Sequence, residues 1–588
     1  MGLVYDYASK CSIEILYGSK KGVMTTMLVG LWILSNDQMR EPCEMRTFFL
    51  AKWFGLESLD EAITTKTEAS QEKRSSSSME GITVFYSFIS LLFIILALKF
   101  YLSRTTTTHK DKNSLPSGPP SLGILGHLYL LKQQPLHHTL LKLSEKYGPI
   151  FSLRFGSRRV VILTSIPLFQ ECFTKNDIIF ANRPKHTLNK YVSYNSTTVT
   201  QSSYGDHWRS LRRIYTIEMF SNQRLNTFLG IRQDEVKRLL LSLLSSGSHH
   251  GFAKVELQSL FFQLNFNTIM RMVVGKRYYG EKENEPEARK FRAIMYDIAN
   301  NAGPTYPGDF LPILKWTDFG RYERKVKRIG QKSDAFLQGL LDDHRSARGG
   351  PESENSMLSR LLSFQKSQPD EYTDDIIKGI IMIMMLAGTD TSAIMLEWIF
   401  SNLVNKPEIL EKARAEINSQ VGEENLVEEP ELAKLRYTQA IISETLRLYP
   451  AAPLMVPHVS SDDCTLGGYH VPRNTMVLVN AWAIQRDPQL WDDPTSFKPE
   501  RFLKGENENS KIIAFGIGRR ACPGSGLSRR ITGLCIASLI QCFEWKRVDD
   551  KLVAMDEGTG GVVVPKFDPL KTMCKARPIM NKLFPEAF

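Results

Sequence analysis

Residues 515–524 read Phe515-Gly516-Ile517-Gly518-Arg519-Arg520-Ala521-Cys522-Pro523-Gly524. A lone cysteine stands among glycines, two residues after Arg520 and just ahead of a helical pattern. Glycine lets the backbone pass close to a flat object. Arg520 offers charge-assisted hydrogen bonds to an anion. Backbone N–H groups and the start of the next helix are expected to lower the thiol pKa. A thiolate so placed suits an iron ligand, and thiolate ligation pushes electron density towards O–O cleavage. The bland alternative is a buried structural cysteine in a Gly-rich turn.

Five spaced positions favour the first reading, because they match Phe-x-x-Gly-x-Arg-x-Cys-x-Gly at once. On them the chain resembles the cytochrome P450 family. The resemblance implies a mainly α fold with small β-sheets (α+β), a single large haem domain and an N-terminal transmembrane helix. It makes Cys522 the axial ligand of haem b, with Phe515, Gly518 and Gly524 lining the loop. Ala514 replaces a proline that often precedes this loop, which leaves the ligand set intact.

A long helix is predicted to begin at Thr373-Asp374-Asp375 and to end at Asn405, before Lys406-Pro407. Inside it lies Ala387-Gly388-Thr389-Asp390-Thr391-Ser392. Glycine inside a helix costs about 1 kcal/mol against alanine, so Gly388 is expected to serve closeness to a ligand. Threonine hydroxyls bond back to a carbonyl and bend a helix. The segment matches the family's (Ala/Gly)-Gly-x-(Asp/Glu)-Thr-(Thr/Ser) pattern, and the resemblance gives Asp390 and Thr391 the relay of protons to bound dioxygen. Otherwise the segment is a polar patch between packed helices.

Glu444 and Arg447 stand one helical turn apart and share a face. Pro499-Glu500-Arg501-Phe502 follows. The resemblance joins Glu444, Arg447 and Arg501 in a buried ion network, structural rather than catalytic. The run Trp208-Arg209-Ser210-Leu211-Arg212 resembles the family's Trp-x-x-x-Arg helix. On that likeness Trp208, Arg212 and Arg520 partner the haem propionates, with His458 a further partner or else a loop histidine with local hydrogen bonds. Arg209 and Arg213 point elsewhere, to a basic face for an electron donor or simply to solvent.

The chain has 588 residues, 42% of them hydrophobic, and a net charge of +11. That length holds a large helical core around a buried cofactor. Its eight cysteines show no zinc spacing and are too sparse for a disulfide scaffold. The positive charge suits an anionic membrane or an acidic protein partner. Nucleic acid is disfavoured, because no dense basic arm or binding motif accompanies it.

Residues 82–98 read ITVFYSFISLLFIILAL, an uncharged run about as long as a short membrane span. Lys99, Arg104, Lys110 and Lys112 follow, which puts the C-terminal side in the cytosol. A cleaved signal peptide is the rival, disfavoured by the long apolar run and the lack of a small-x-small site. Four segments are expected: an atypical extension over 1–78, with translation naturally starting at Met79, an anchor over 79–103, a basic, proline-rich hinge over 104–125 and the catalytic domain over 126–588. The anchor and the resemblance imply an endoplasmic-reticulum protein, single-pass, with a cytosolic catalytic domain.

The resemblance, strongest to plant microsomal isoflavone and flavonoid hydroxylases and lignan-oxidising relatives, implies a haem-thiolate monooxygenase. Its partners are O2, membrane lipid, a small lipophilic substrate and NADPH-cytochrome P450 reductase, which passes on electrons from NADPH. Hydroxylation of an isoflavonoid or flavonoid is the expected reaction, and methylenedioxy-bridge formation on a lignan is the near alternative. Oxygen-independent rearrangement of lipid hydroperoxides is a different class, disfavoured by the intact Asp390-Thr391. A non-catalytic haem binder is the third. Substrate-facing stretches are expected near 180–203, 295–316, 384–391, 451–456 and 559–562.

Overall fold

Residues 150–165 alternate and cluster β-branched side chains, which reads as a hairpin turning near Gly156-Ser157, and they form strands β1 (Ile150–Phe155) and β2 (Arg158–Leu163) with the turn at those residues. A computed structural model describes residues 86–95 and 115–587, apart from 134, 283, 304–305, 347–353, 560 and the side chains of 506, 507 and 587. The predicted extension over 1–78, most of the anchor and hinge residues 104–114 lie outside the described residues.

The chain divides into two units, Met1–His109 and Lys110–Phe588. The described part of the first is the helix Tyr86–Ile95, whose apolar side chains are mostly exposed. The second unit carries the three sheets. The largest orders its strands β1-β2-β7-β4, with β4 (His458–Val459) and β7 (Met476–Val479). β2 runs parallel to β7, from Val160↔Met476 to Leu163↔Val479. Val160 to Leu163 are fully buried, which explains their continuous apolar run rather than an alternating one. β3 (Ala253–Glu256), β8 (Phe543–Lys546) and β9 (Lys571–Ala576) make a three-stranded sheet, and β5 (Cys464–Leu466) pairs with β6 (Tyr469–Val471).

The helices that frame the site are α1 (Asp206–Arg213), α2 (Leu257–Val274), α3 (Glu285–Asn301), α4 (Asp374–Asn405), α5 (Arg436–Leu448) and α6 (Ser525–Cys542). Helix α4 has 32 residues, and at 1.5 Å per residue it is roughly 48 Å long. Thr373 caps it, its hydroxyl accepting from the Ile376 N–H at 3.4 Å. Asp374 and Asp375 sit in the first turn, where the helix dipole favours acids. Arg345 hydrogen-bonds Asp374 and, chiefly by that, holds its pKa down at about 2.

Among the described residues α4 is the one helix long and apolar enough to cross a membrane, yet 67% of its apolar window is buried. A helix that is apolar all round and buried is a core helix. It packs along α2 and also against α5 and α6, at the centre of one large hydrophobic cluster.

Candidate active site

The loop before α6 is shaped by its own backbone. Gly516 N–H donates to the Ile513 carbonyl at 2.8 Å, Ala521 N–H to Gly518 at 3.1 Å, and Cys522 N–H to Phe515 at 2.8 Å. Gly518 has φ +71°, and a Cβ there would lie against Phe173 O and 2.9 Å from Asp177 Oδ1. Both the conformation and the space therefore exclude a side chain. Gly524 is the residue before α6, and a Cβ on it would lie 3.9 Å from Cys522 Sγ. The half-buried Phe515 ring sits under the Arg529 guanidinium, 5.6 Å from its centroid.

The backbone N–H groups of Gly524 and Ser525 bond the Cys522 sulfur and lower its pKa, as does Arg212. Burial outweighs them, so the thiol pKa is raised rather than lowered, against the sequence expectation. Cys522 as a residue is exposed, so the shift reflects the protein mass around it. A bound metal ion reverses this balance, because a coordinating thiol is deprotonated outright.

Three arginines gather beside this loop. Arg520 donates to the carbonyls of Ala181 (2.8 Å), Val199 (2.9 Å) and Ser202 (2.5 Å). Burial and the nearby Arg212 push its pKa down to about 10. Arg212 donates to Ala521 O at 2.7 Å, which ties α1 to the cysteine loop. Arg183 is buried, donates to Val456 O and Pro457 O, and is held well below its ordinary pKa by burial and Arg520. Its Nε has no hydrogen-bond partner.

The Trp208 indole N–H is already spent on Val199 O at 3.1 Å, and its ring lies under Arg520, 4.4 Å away. His458 Nδ1 bonds Phe180 O at 2.6 Å; burial and then Arg183 hold this histidine well below the ordinary imidazole range. Asp177 is an acid that acts on Arg520 through space, and it pairs with Arg519 at 3.3 Å. Buried cations that depress one another, with an orphaned guanidinium nitrogen among them, fit a cofactor carrying carboxylates. Arg183 is the member that sequence reasoning missed. Its signal was the pair Arg183-Pro184, since a residue before proline is held extended.

Helix α4 stays continuous through Ala387–Ser392. Thr391 Oγ1 donates to Ala387 O at 2.6 Å. Gly388 faces α2. A Cβ on it would lie 2.7 Å from Ile269 Cδ1, so it permits the close packing of α2 on α4. Burial raises Asp390 to a pKa of about 6, opposed by Arg292 of α3. Arg292 stacks on Phe262, 4.2 Å from the ring, and was not legible in the sequence.

Behind the loop, Glu444 takes Arg447 in a bidentate pair at 2.7 and 2.8 Å, plus Arg501 Nε at 3.1 Å and Lys498 N–H at 2.8 Å. Glu444 and Arg447 are fully buried. Arg447 also donates to Gln485 O, Pro494 O and Ser496 O. Arg447 and Arg501 both stack on Trp491, which sequence reasoning overlooked.

Three of the expected substrate-facing stretches meet. Gly303 lies against Val562, where a Cβ on the glycine would sit 3.6 Å from Val562 Cγ2, and Val564 N–H donates to Ala451 O at 2.9 Å. Residue 560 of the 559–562 stretch lies outside the described residues. The 180–203 stretch joins 451–456 through Arg183, which donates to Val456 O at 2.8 Å, and reaches α4 through Thr198 against Gly379.

The family model for Cytochrome P450 matches residues 116–570. "Cytochrome P450 81E8" of Medicago truncatula is 52% identical over 501 residues, covering 84% of this chain and 98% of that protein. An isoflavone 3'-hydroxylase of the same plant is 50% identical over 503 residues, covering 84% and 99%. The (+)-piperitol/(+)-sesamin synthase CYP81Q2 of Sesamum radiatum is 48% identical over 504 residues, covering 85% and 97%. A zebra fish cytochrome P450 solved with progesterone superposes with TM-score 0.66 at 25% identity, over 76% of this chain and all of that one. The chain belongs to the cytochrome P450 family and is a haem-dependent monooxygenase.

Proposed function

We propose that this monooxygenase hydroxylates an isoflavonoid or flavonoid in the endoplasmic-reticulum membrane. The observation that carries the substrate class is the 50% identity, over nearly its whole length, to a protein named isoflavone 3'-hydroxylase. Bound haem supplies dioxygen binding and O–O cleavage. Cys522 Sγ would ligate its iron, with Phe515, Gly518 and Gly524 shaping the loop around it. Arg212, Arg520, Arg183 and His458 would hold its propionates. Trp208 acts by holding Arg520 in place rather than through its own N–H.

Asp390 and Thr391 move protons on the oxygen side. A carboxyl of pKa about 6 is partly protonated near neutrality, where an unshifted aspartate is not. Proton delivery from Asp390 therefore falls as pH rises through about 6. Asp390→Asn is expected to lack that step in a pH–rate profile of product formation. Thr391→Ala is expected to keep haem and the thiolate spectrum, while product per NADPH falls on the order of tenfold and peroxide release rises. Unchanged coupling in that variant would refute the relay.

Electrons come from NADPH through the membrane-bound reductase, which docks on a basic face that includes the exposed Arg213. One oxygen atom enters the substrate and the other leaves as water. Residues 79–103 anchor the protein in the membrane and 104–125 form the hinge, with the catalytic domain over 126–588 in the cytosol. Methylenedioxy-bridge formation on a lignan is the second reading, favoured by the 48% identity to a piperitol/sesamin synthase. Turnover of an isoflavone and of a lignan, each with reductase and NADPH, separates them. A hydroxylated isoflavone supports the first, and a bridged lignan with no isoflavone product replaces it.

A further inference from the structure

Two neighbouring histidines and a glutamate 420 residues further along the chain converge at one point. His137 and His138 lie in the first turn of the helix Leu136–Tyr147. Glu557 stands at the base of a hairpin, bridged to Lys566. His137 Nε2 lies 2.6 Å from Glu557 Oε2, and His138 Nε2 lies 3.1 Å from the same oxygen. One ligand atom from each of the three side chains lies within 4.8 Å of the other two. Among the described residues this is the one such group of histidine, cysteine or carboxylate side chains. His137 is 2% exposed, Glu557 11% and His138 42%. The cluster therefore has a buried floor and an open side at His138.

The groups around the cluster hold it in place. The Trp482 indole N–H donates to the other carboxylate oxygen, Glu557 Oε1, at 3.0 Å. The same indole ring stands 5.2 Å from the His137 ring and 4.3 Å from the His138 ring. Asn480 Nδ2 donates to the His137 carbonyl at 2.8 Å and fixes the start of the helix. Outer contacts of this kind orient the side chains that ligate a metal. Arg486 stacks on Trp482 at 4.0 Å and acts on Glu557 through space. Among the described residues it makes no ion pair with that carboxylate, which stays available.

We propose that His137, His138 and Glu557 form a zinc(II) site, with water as the fourth ligand, that pins the hairpin closed by Glu557 and Lys566 to the helix Leu136–Tyr147. Two imidazoles and one carboxylate with an open position are a donor set that zinc takes. Imidazole nitrogen does not suit magnesium or calcium, which take oxygen. Zinc–ligand bonds of about 2.0–2.2 Å set neighbouring tetrahedral donors roughly 3.4 Å apart. The 2.6 Å contact of His137 with Glu557 therefore opens by less than about 1 Å to admit the ion. This site is separate from the oxygen chemistry and does not rest on the substrate assignment.

The test uses the full-chain holoprotein, free of any affinity tag and stripped by chelator, titrated calorimetrically with zinc, magnesium or calcium chloride. Zinc is expected to bind at about one equivalent, and magnesium and calcium not to bind. The X-ray absorption spectrum of the bound zinc should show nitrogen and oxygen neighbours at about 2.0–2.2 Å and no sulfur at about 2.3 Å, which sets this site apart from the cysteines. His138→Ala, on the exposed side, is expected to lose the zinc equivalent with an unchanged reduced carbon-monoxide spectrum. Trp482→Phe is expected to weaken zinc by about 10–100-fold, because it removes the hydrogen bond that orients Glu557. Should His138→Ala lose its spectrum, Glu557→Gln, which keeps an acceptor for Trp482, gives the same comparison. Zinc that is not retained, that binds the folded variant as tightly, that is held through sulfur, or that magnesium or calcium matches would each overturn the assignment and leave the three side chains a hydrogen-bonded clasp.

Discussion

Cys522→Ser is expected to abolish the thiolate-type Soret band of the reduced carbon-monoxide complex and, with it, all measurable turnover. A serine hydroxyl keeps the size of the side chain but is not a thiolate, and the electron push towards O–O cleavage is lost. The loop itself should survive, because the backbone bonds of Gly516, Ala521 and Cys522 hold it and a serine oxygen accepts from the Gly524 and Ser525 N–H groups as the sulfur does. A folded variant that keeps the band would remove Cys522 from its role.

Glu444→Ala is expected to prevent stable holoprotein from forming. It strands the Arg447 guanidinium, fully buried, and removes the acceptor of Arg501 and of the Lys498 N–H. Removing one partner of a buried pair costs about 3–5 kcal/mol, a large share of the 5–15 kcal/mol or so that holds a typical domain. Arg447→Ala should be similarly severe, because it leaves Glu444 charged and buried with one guanidinium fewer. Arg501→Ala should be milder, since Arg501 meets Glu444 through one bond at 3.1 Å and its other donors go to loop carbonyls. Thermal unfolding and haem content, measured on all three, check this order. Equal stability of Glu444→Ala and the unaltered protein would contradict it.

The parts legible in the sequence were those written in local patterns. The hairpin over 150–165 has its turn at Gly156-Ser157, and α4 begins and ends at the predicted residues. In each case a cap, a turn or a proline sits within a few residues of the feature it sets. The cysteine loop, Glu444-x-x-Arg447 and Ala387–Ser392 were legible for the same reason.

The rest depends on contacts between distant segments. Arg183 reaches the Arg520 cluster from a loop without periodicity. Arg292 reaches Asp390 across two helices. Gly388 looked like a ligand-facing glycine, and only the placement of Ile269 on α2 shows which side of α4 it serves. The Cys522 pKa went astray because the bonds that lower it are local, while the burial that raises it comes from the whole domain.

The most direct test of the account is turnover of an isoflavone by the purified protein with reductase and NADPH under isotope-labelled dioxygen. The product should carry one labelled oxygen atom. Product whose oxygen comes from water, or substrate transformed with no dioxygen consumed, would contradict it.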